Sequence, residues 1–256
     1  MQRVLEAEWL DSLSPHDARA QRSRADLRRV NFLMGNAGHI ARALCRPPDK
    51  GVASETSGGF SFSENQPPAR LRLTTSLSGG QILRIADLGA GDGSLILRVA
   101  HRLRRPGVEV TLVDRAPCAA PSDFERVGWR ARIASEDALE FLRRPGPRFD
   151  AIVCNLFLHH FGPAALRRLL AAAAQRTALL VACEPRRSRA ALEACRLLGL
   201  LACNEVTRHD AAVSVRAGFL DGELSSSWPQ QPGWQLSERP ARPFGHLFSA
   251  RRDAAL

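Results

Sequence analysis

The stretch Arg84-Ile85-Ala86-Asp87-Leu88-Gly89-Ala90-Gly91-Asp92-Gly93-Ser94 decides how this 256-residue chain folds. An apolar run ends in an acid, glycine then occupies every second position three times, and a helical pattern begins. Glycine lets the backbone turn sharply and lets a ligand approach the main chain. A strand, a tight glycine turn and a helix N-terminus make a nucleotide-type site in an open α/β sheet.

The segments around it alternate as such a sheet requires. Apolar runs at 82–88, 108–114, 130–134, 150–155 and 178–183 read as strands. Their near-continuous hydrophobicity implies burial on both faces and hence parallel pairing. Helical patterns occupy 94–103, 163–175 and 188–201. The end differs: 234–239 and 244–251, joined through Pro240 to Pro243, read as an antiparallel hairpin. Ser14-Pro15-His16-Asp17 reads as a helix start, with the helix running to about Met34. Gly35-Asn36 ends it, and a second short helix carries Ile40 and Leu44. Pro47 to Pro68 is rich in Pro, Gly and Ser and reads as a loose linker. The expected organisation is a helical lid and linker over 1–70, then one α/β domain over 71–256.

Composition narrows the partners. Hydrophobic content is that of a globular protein, and no apolar run reaches membrane-spanning length. Glu6, Glu8 and Asp11 do not suit a signal peptide, so a cytoplasmic protein is the expectation. The formal charge of +10 invites a nucleic-acid reading. The basic residues, however, are arginines spread along the chain, with Lys50 the only lysine, and this argues against a dedicated nucleic-acid surface. Cys45, Cys118, Cys154, Cys183, Cys195 and Cys203 form no CxxC pair and no zinc-like spacing with histidine. They read as small buried thiols, and no metal is expected.

The glycine spacing chooses among nucleotides. A dinucleotide fingerprint places its third glycine where Ser94 stands. Pyrophosphate also needs positive potential at the helix start, whereas Asp87 and Asp92 place negative charge there. That suits a ligand with a cationic head, such as the ammonium and sulfonium of S-adenosylmethionine.

At this point the chain resembles the class I S-adenosylmethionine-dependent methyltransferases, over roughly residues 82–251. Asp87-Leu-Gly-Ala-Gly-Asp-Gly93 is similar to that family's first motif. The resemblance implies a Rossmann-like, mostly parallel seven-stranded sheet of order 3-2-1-4-5-7-6. It implies that Gly89, Ala90, Gly91 and Gly93 line the methionine part, with Asp87 near the amino group. Asp114, at the end of the second strand, matches the ribose-binding acid, with Arg115 beside it. Ser135-Glu136-Asp137-Ala138-Leu139 resembles the adenine-contacting motif, with Asp137 toward the exocyclic amine and Ala138 beside the ring. Asp137 equally reads as a helix N-cap, and one residue can do both. Asn155, at the end of the fourth strand, belongs to the same cofactor set.

The acceptor side follows from Asn155-Leu-Phe-Leu-His159-His160-Phe161. Ligands in open α/β sheets bind beyond the carboxyl ends of the strands. The run lacks the Pro-Pro-aromatic sequence of enzymes that methylate base amines. Leu158-His159-His160 resembles small-molecule members in which a histidine faces the acceptor. Histidine titrates near neutrality and can take the acceptor's proton; His159 is favoured over His160, and a structural histidine is the alternative. Glu184 reads as orienting that histidine or binding an acceptor hydroxyl, or else as a salt-bridge partner of Arg186 or Arg187. His209-Asp210, in the 207–219 region, is a second acid–base candidate or a structural loop pair. Leu27, Val30, Leu33 and Met34 share one face of the first helix, which packs as a lid; Arg28, Asn31 and Asn36 are its candidates for lining the acceptor pocket. This segment and 207–219 together resemble a bacterial subgroup found beside type III polyketide synthases, which implies a phenolic or polyketide acceptor. The expected activity is methylation of a small-molecule oxygen by a monomer or homodimer, with an RNA methyltransferase and a non-catalytic cofactor-binding scaffold as alternatives.

Overall fold

The computed structural model describes residues 1–14, 16–46, 83–117 and 119–253. Pro15, the 47–68 linker, Ile82 and Cys118 lie outside the described residues. Three helices come first: α1 (Trp9–Ser12), α2 (Ala18–Leu33) and α3 (Asn36–Cys45). Then follow β1 (Leu83–Leu88), α4 (Ser94–Leu103), β2 (Val108–Asp114), α5 (Pro121–Glu125), β3 (Trp129–Ser135), α6 (Ala138–Arg143) and β4 (Ala151–Asn155). A 3-10 turn (Leu158–His160) leads to α7 (Pro163–Arg176), β5 (Leu179–Pro185) and α8 (Arg189–Arg196). A second 3-10 turn (Leu197–Leu201), α9 (Glu205–Ala217), α10 (Glu223–Ser227), β6 (Trp234–Ala241) and β7 (Gly245–Arg252) complete the order.

The strands form one sheet in the order β3-β2-β1-β4-β5-β7-β6, as the resemblance implied. The first five pair in parallel, and β7 runs antiparallel between β5 and β6. The sheet steps outward in both directions from between β1 and β4, which opens a crevice at their carboxyl ends. Side chains alternate between the faces. Ile85, Val110, Val181 and Cys183 pack with Ile40, Leu44, Ile96 and Val99 of α3 and α4. Ala86, Leu88, Leu180 and Ala182 pack with Phe141 of α6, Leu166 and Leu170 of α7, and Trp228 just after α10. Cys45, Cys154, Cys183 and Cys203 are buried. Among the described residues no helix is long and apolar enough to cross a membrane.

Five local readings change. Helix α1 was not anticipated. Helix α2 is capped by Asp17, whose carboxylate accepts from Arg19 N, and not by Ser14. The 207–219 region is helical as far as Ala217, with Asn204 as the cap, and the 188–201 helix ends at Arg196 before the second 3-10 turn. Finally, α2 does not pack through its apolar stripe. Its buried residues are Ala20, Ser23 and Asp26, while Leu33 is exposed. The reason is a polar network. Asp26 accepts from Asn204 N at 2.8 Å and from Thr207 Oγ1 at 3.2 Å, and pairs with Arg29. A carboxylate at the start of α9 also meets the positive end of that helix.

Candidate active site

β1 delivers the chain into a loop of three glycines with positive φ: Gly89 at 72°, Gly91 at 54° and Gly93 at 69°. Gly89 N and Ala90 N donate to Val113 O at 2.8 and 3.1 Å. Gly91 N donates to Asp114 Oδ2 at 2.9 Å, and Ala116 N to Asp114 Oδ1 at 2.9 Å. Asp114 therefore fixes the glycine loop and the exit of β2 with one carboxylate. A Cβ on Gly89 would collide with the Phe157 ring, and one on Gly93 would lie 3.0 Å from Ala119 Cβ. Among the described residues a Cβ on Gly91 would meet nothing within 4 Å, so that glycine borders open space there. Asp92 Oδ1 accepts from Ser94 N at 3.0 Å, and its Oδ2 lies 2.8 Å from Arg28 Nη1. Arg28 thus ties α2 to the loop.

Beneath the loop, Asp87 is 2% exposed. Burial first, then the neighbouring Asp114 and Asp92, push its carboxyl up to about 8. Among the described residues no donor reaches it. A buried acid short of a cation, below an open cradle of main-chain groups, fits an ammonium-bearing nucleoside ligand better than a pyrophosphate.

The next predicted contacts lie at the following strand ends. Asp137 caps α6: Oδ1 accepts from Leu139 N at 2.8 Å and Glu140 N at 3.3 Å, while Oδ2 pairs with Arg115 Nη2 at 2.7 Å. Its N-cap reading is therefore realised, and Ala138 is buried beside it. Asn155 joins two lid residues. Asn36 Nδ2 donates to Asn155 Oδ1 and Asn31 Oδ1, both at 2.9 Å, and Asn155 Nδ2 donates to Asn31 Oδ1 at 3.1 Å. Asn36 is fully buried, and among the described residues its Oδ1 has no hydrogen-bond partner.

After β4 the backbone is bent hard. Leu156 takes φ +50°, a conformation that costs a residue with a Cβ about 1–3 kcal/mol and that clusters at functional sites. Glu184, from the end of β5, holds the bend. Its Oε1 accepts from Phe157 N at 3.1 Å and Leu158 N at 2.9 Å, and its Oε2 lies 2.8 Å from His159 Nδ1. Glu184 pairs with His159 and not with the neighbouring arginines, since Arg186 pairs with Asp221 and Arg187 with Glu223.

The other nitrogen of His159, Nε2, lies 3.3 Å from Glu8 Oε1. Burial alone would lower this imidazole, but Glu184 and Glu8 outweigh it and raise it to about 9. Glu8, which burial would raise, is held low by His159 and Ser214. His160 is the less buried ring, with its centroid 4.2 Å from that of His159.

Glu8 belongs to an N-terminal strap that sequence patterning had not marked. Arg3 donates to the carbonyls of His159, Phe161 and Ala217, and its guanidinium lies 4.4 Å from the Phe219 ring centre. Val4 N donates to Arg216 O. Asp210 accepts from Trp9 N and Leu10 N, each at 2.9 Å. His209 stacks on Trp9 at 3.8 Å and lies 2.8 Å from Asp210 Oδ1. His209 and Asp210 thus fasten the strap to α9. The acids of residues 1–11 were read only for what they exclude, and no local signal links them to His159.

Residues 85–178 match the family model described as a methyltransferase domain. No curated protein gives a significant match. Among solved structures, the plantazolicin methyltransferase BpumL, solved with SAH, aligns over 93% of this chain and 92% of its own, with 12% identity and a TM-score of 0.61. The mitomycin 7-O-methyltransferase MmcR aligns over 95% of this chain and 60% of its own, with 16% identity and a TM-score of 0.52. An O-methyltransferase family protein from Burkholderia thailandensis shares 18% identity at a TM-score of 0.45, and this chain spans about half of it (52%). At these identities the likeness is one of fold.

Proposed function

We propose, for a chain that carries a methyltransferase domain of the class I S-adenosylmethionine-dependent fold, that it methylates an oxygen of a small phenolic or polyketide acceptor. The observation that carries the cofactor assignment is the glycine cradle: three positive-φ glycines tied to Asp114, above a buried Asp87 that lacks a cation. S-adenosylmethionine supplies a methyl group on a positively charged sulfur. Gly89, Ala90, Gly91 and Gly93 line its methionine part, and Asp87 faces its ammonium. Asp114 keeps lone pairs for the ribose hydroxyls. Asp137 and Ala138, with Arg115, flank the base, and Asn155 closes the end nearest the lid.

The acceptor then lies beyond β4 and β5, under α2 and the strap. Arg28, Asn31 and Asn36 bring the lid onto the cofactor side, and α1 with α9 closes the far side. Closure excludes water, and most of the rate comes from lining up the acceptor oxygen with the sulfonium. His159 has both ring nitrogens on carboxylates, so it orients its surroundings. Help at the hydroxyl falls to Glu8, His159 and His160 as a group.

Calorimetric titration with S-adenosylmethionine and SAH, with NAD and NADP as controls, tests the reading. Micromolar binding of the sulfur compounds alone supports it; binding of the nicotinamide compounds alone, or of none, overturns it. A His159→Ala variant should keep SAH affinity and lose methyl transfer by about a hundredfold or more. Full activity in that variant would remove the cluster from the chemistry.

A further inference from the structure

Glu8, His159 and His160 stand far apart in sequence, yet one ligand atom from each lies within 4.8 Å of the others. The 3.3 Å between His159 Nε2 and Glu8 Oε1 is close to the edge length, about 3.3 Å, set by two ligands each about 2.0–2.1 Å from one tetrahedral zinc ion. His159 Nδ1 is held at 2.8 Å by Glu184 Oε2, from a fully buried carboxylate. A ligating histidine almost always has such a partner on its far nitrogen, which fixes ring orientation and tautomer. Asp11 Oδ2 stands 3.9 Å from His160 Nδ1 and adds a further acid at the rim. Carboxylates therefore crowd the cluster, while the nearby guanidinium, Arg3, is occupied by three carbonyl oxygens.

We propose that Glu8, His159 and His160 form a binding site for a divalent transition ion of the zinc type, with Glu184 as the positioning residue behind His159. Two histidines and one carboxylate suit Zn²⁺ and its neighbours, and three protein ligands leave a position for an oxygen ligand. Residue spacing hides this site because its carboxylate reaches the histidines only through the strap. Ion binding itself does not depend on the methyltransferase reading. The further step, in which the open position receives the acceptor's hydroxyl, does rest on it.

The test uses full-length protein freed of any affinity tag and stripped with a chelator. Titration with Zn²⁺ by calorimetry should show one ion per chain, and Co²⁺ should give the visible bands of a four- or five-coordinate site. Glu8→Gln and His160→Ala should each weaken Zn²⁺ binding at least tenfold, and Glu184→Gln by about 10- to 100-fold. Far-UV circular dichroism checks that each variant folds. X-ray absorption of the Zn²⁺-loaded wild type, which needs no variant, should show two imidazole nitrogens. Absence of one-to-one binding, affinity unmoved in both Glu8→Gln and His160→Ala, or a zinc shell without imidazole overturns the inference. SAH titration of the same stripped protein separates the two readings: intact SAH binding without an ion site overturns this inference alone, and an ion site without SAH binding overturns the proposed function alone.

Discussion

Asp87, in β1, and Gly91, in the loop that follows it, serve opposite needs. At Gly91 the constraint is conformational, since φ of +54° is unfavourable for a residue with a Cβ. The space beside it is open to a ligand. Gly91→Val should leave the far-UV spectrum unchanged and abolish SAH binding by calorimetry. Asp87 predicts a pH dependence. Its carboxyl, pushed up to about 8, is protonated at neutral pH in the free chain, and a cationic ligand must displace that proton. Cofactor affinity should therefore rise with pH, by at most tenfold per unit, and level off above about pH 8. Calorimetry in buffers of different protonation heat should record the proton released below that point. Stability runs the other way. The folded carboxyl holds its proton more tightly than the unfolded one, so the ligand-free chain loses stability as pH rises from the ordinary carboxylate range to about 8. Asp87→Asn should raise the ligand-free Tm at pH 8 while weakening SAH binding; a lowered Tm would place the carboxylate in a stabilising contact.

Among the elements, α2 shows best what patterning conveys and what it hides. The central strands β1, β4 and β5 were legible because each is a run of five to seven residues buried almost throughout, and the glycine spacing was legible because backbone geometry demands it. The face of α2 that packs was not. An apolar stripe at Leu27, Val30 and Leu33 is normally the buried one, but Asp26 finds donors on α9 that no local pattern announces. In the same way, His159 and Glu184 could be paired by their places at neighbouring strand ends, whereas Glu8 reaches them from 151 residues away. Asp26→Ala should strip buried donors of their acceptor at a cost of about 1–3 kcal/mol. That lowers Tm by roughly 3–10 °C for a chain of this size. A thermal melt showing no change would mean that the α2–α9 contact carries little stability.

Across the molecule, the N-terminal segment divides into two roles. α3 belongs to the core, with Ile40 and Leu44 packed beneath the sheet, whereas α1 and the strap touch mainly the far side of the site. Deleting residues 1–13 should therefore leave the sheet folded and SAH affinity nearly unchanged, while methylation is lost. Loss of SAH binding in that truncation would make the strap part of the cofactor site. The strap's partners also impose an order on assembly. Arg3 and Val4 bond to His159, Phe161, Arg216 and Ala217, so the strap has nowhere to dock until α9, far behind it in the chain, has been made. For most of synthesis the glycine loop can form over an uncovered crevice. The strap's contact with α9 spans more than two hundred residues and is slow to form for that reason, so the strap covers the crevice only once α9 is in place.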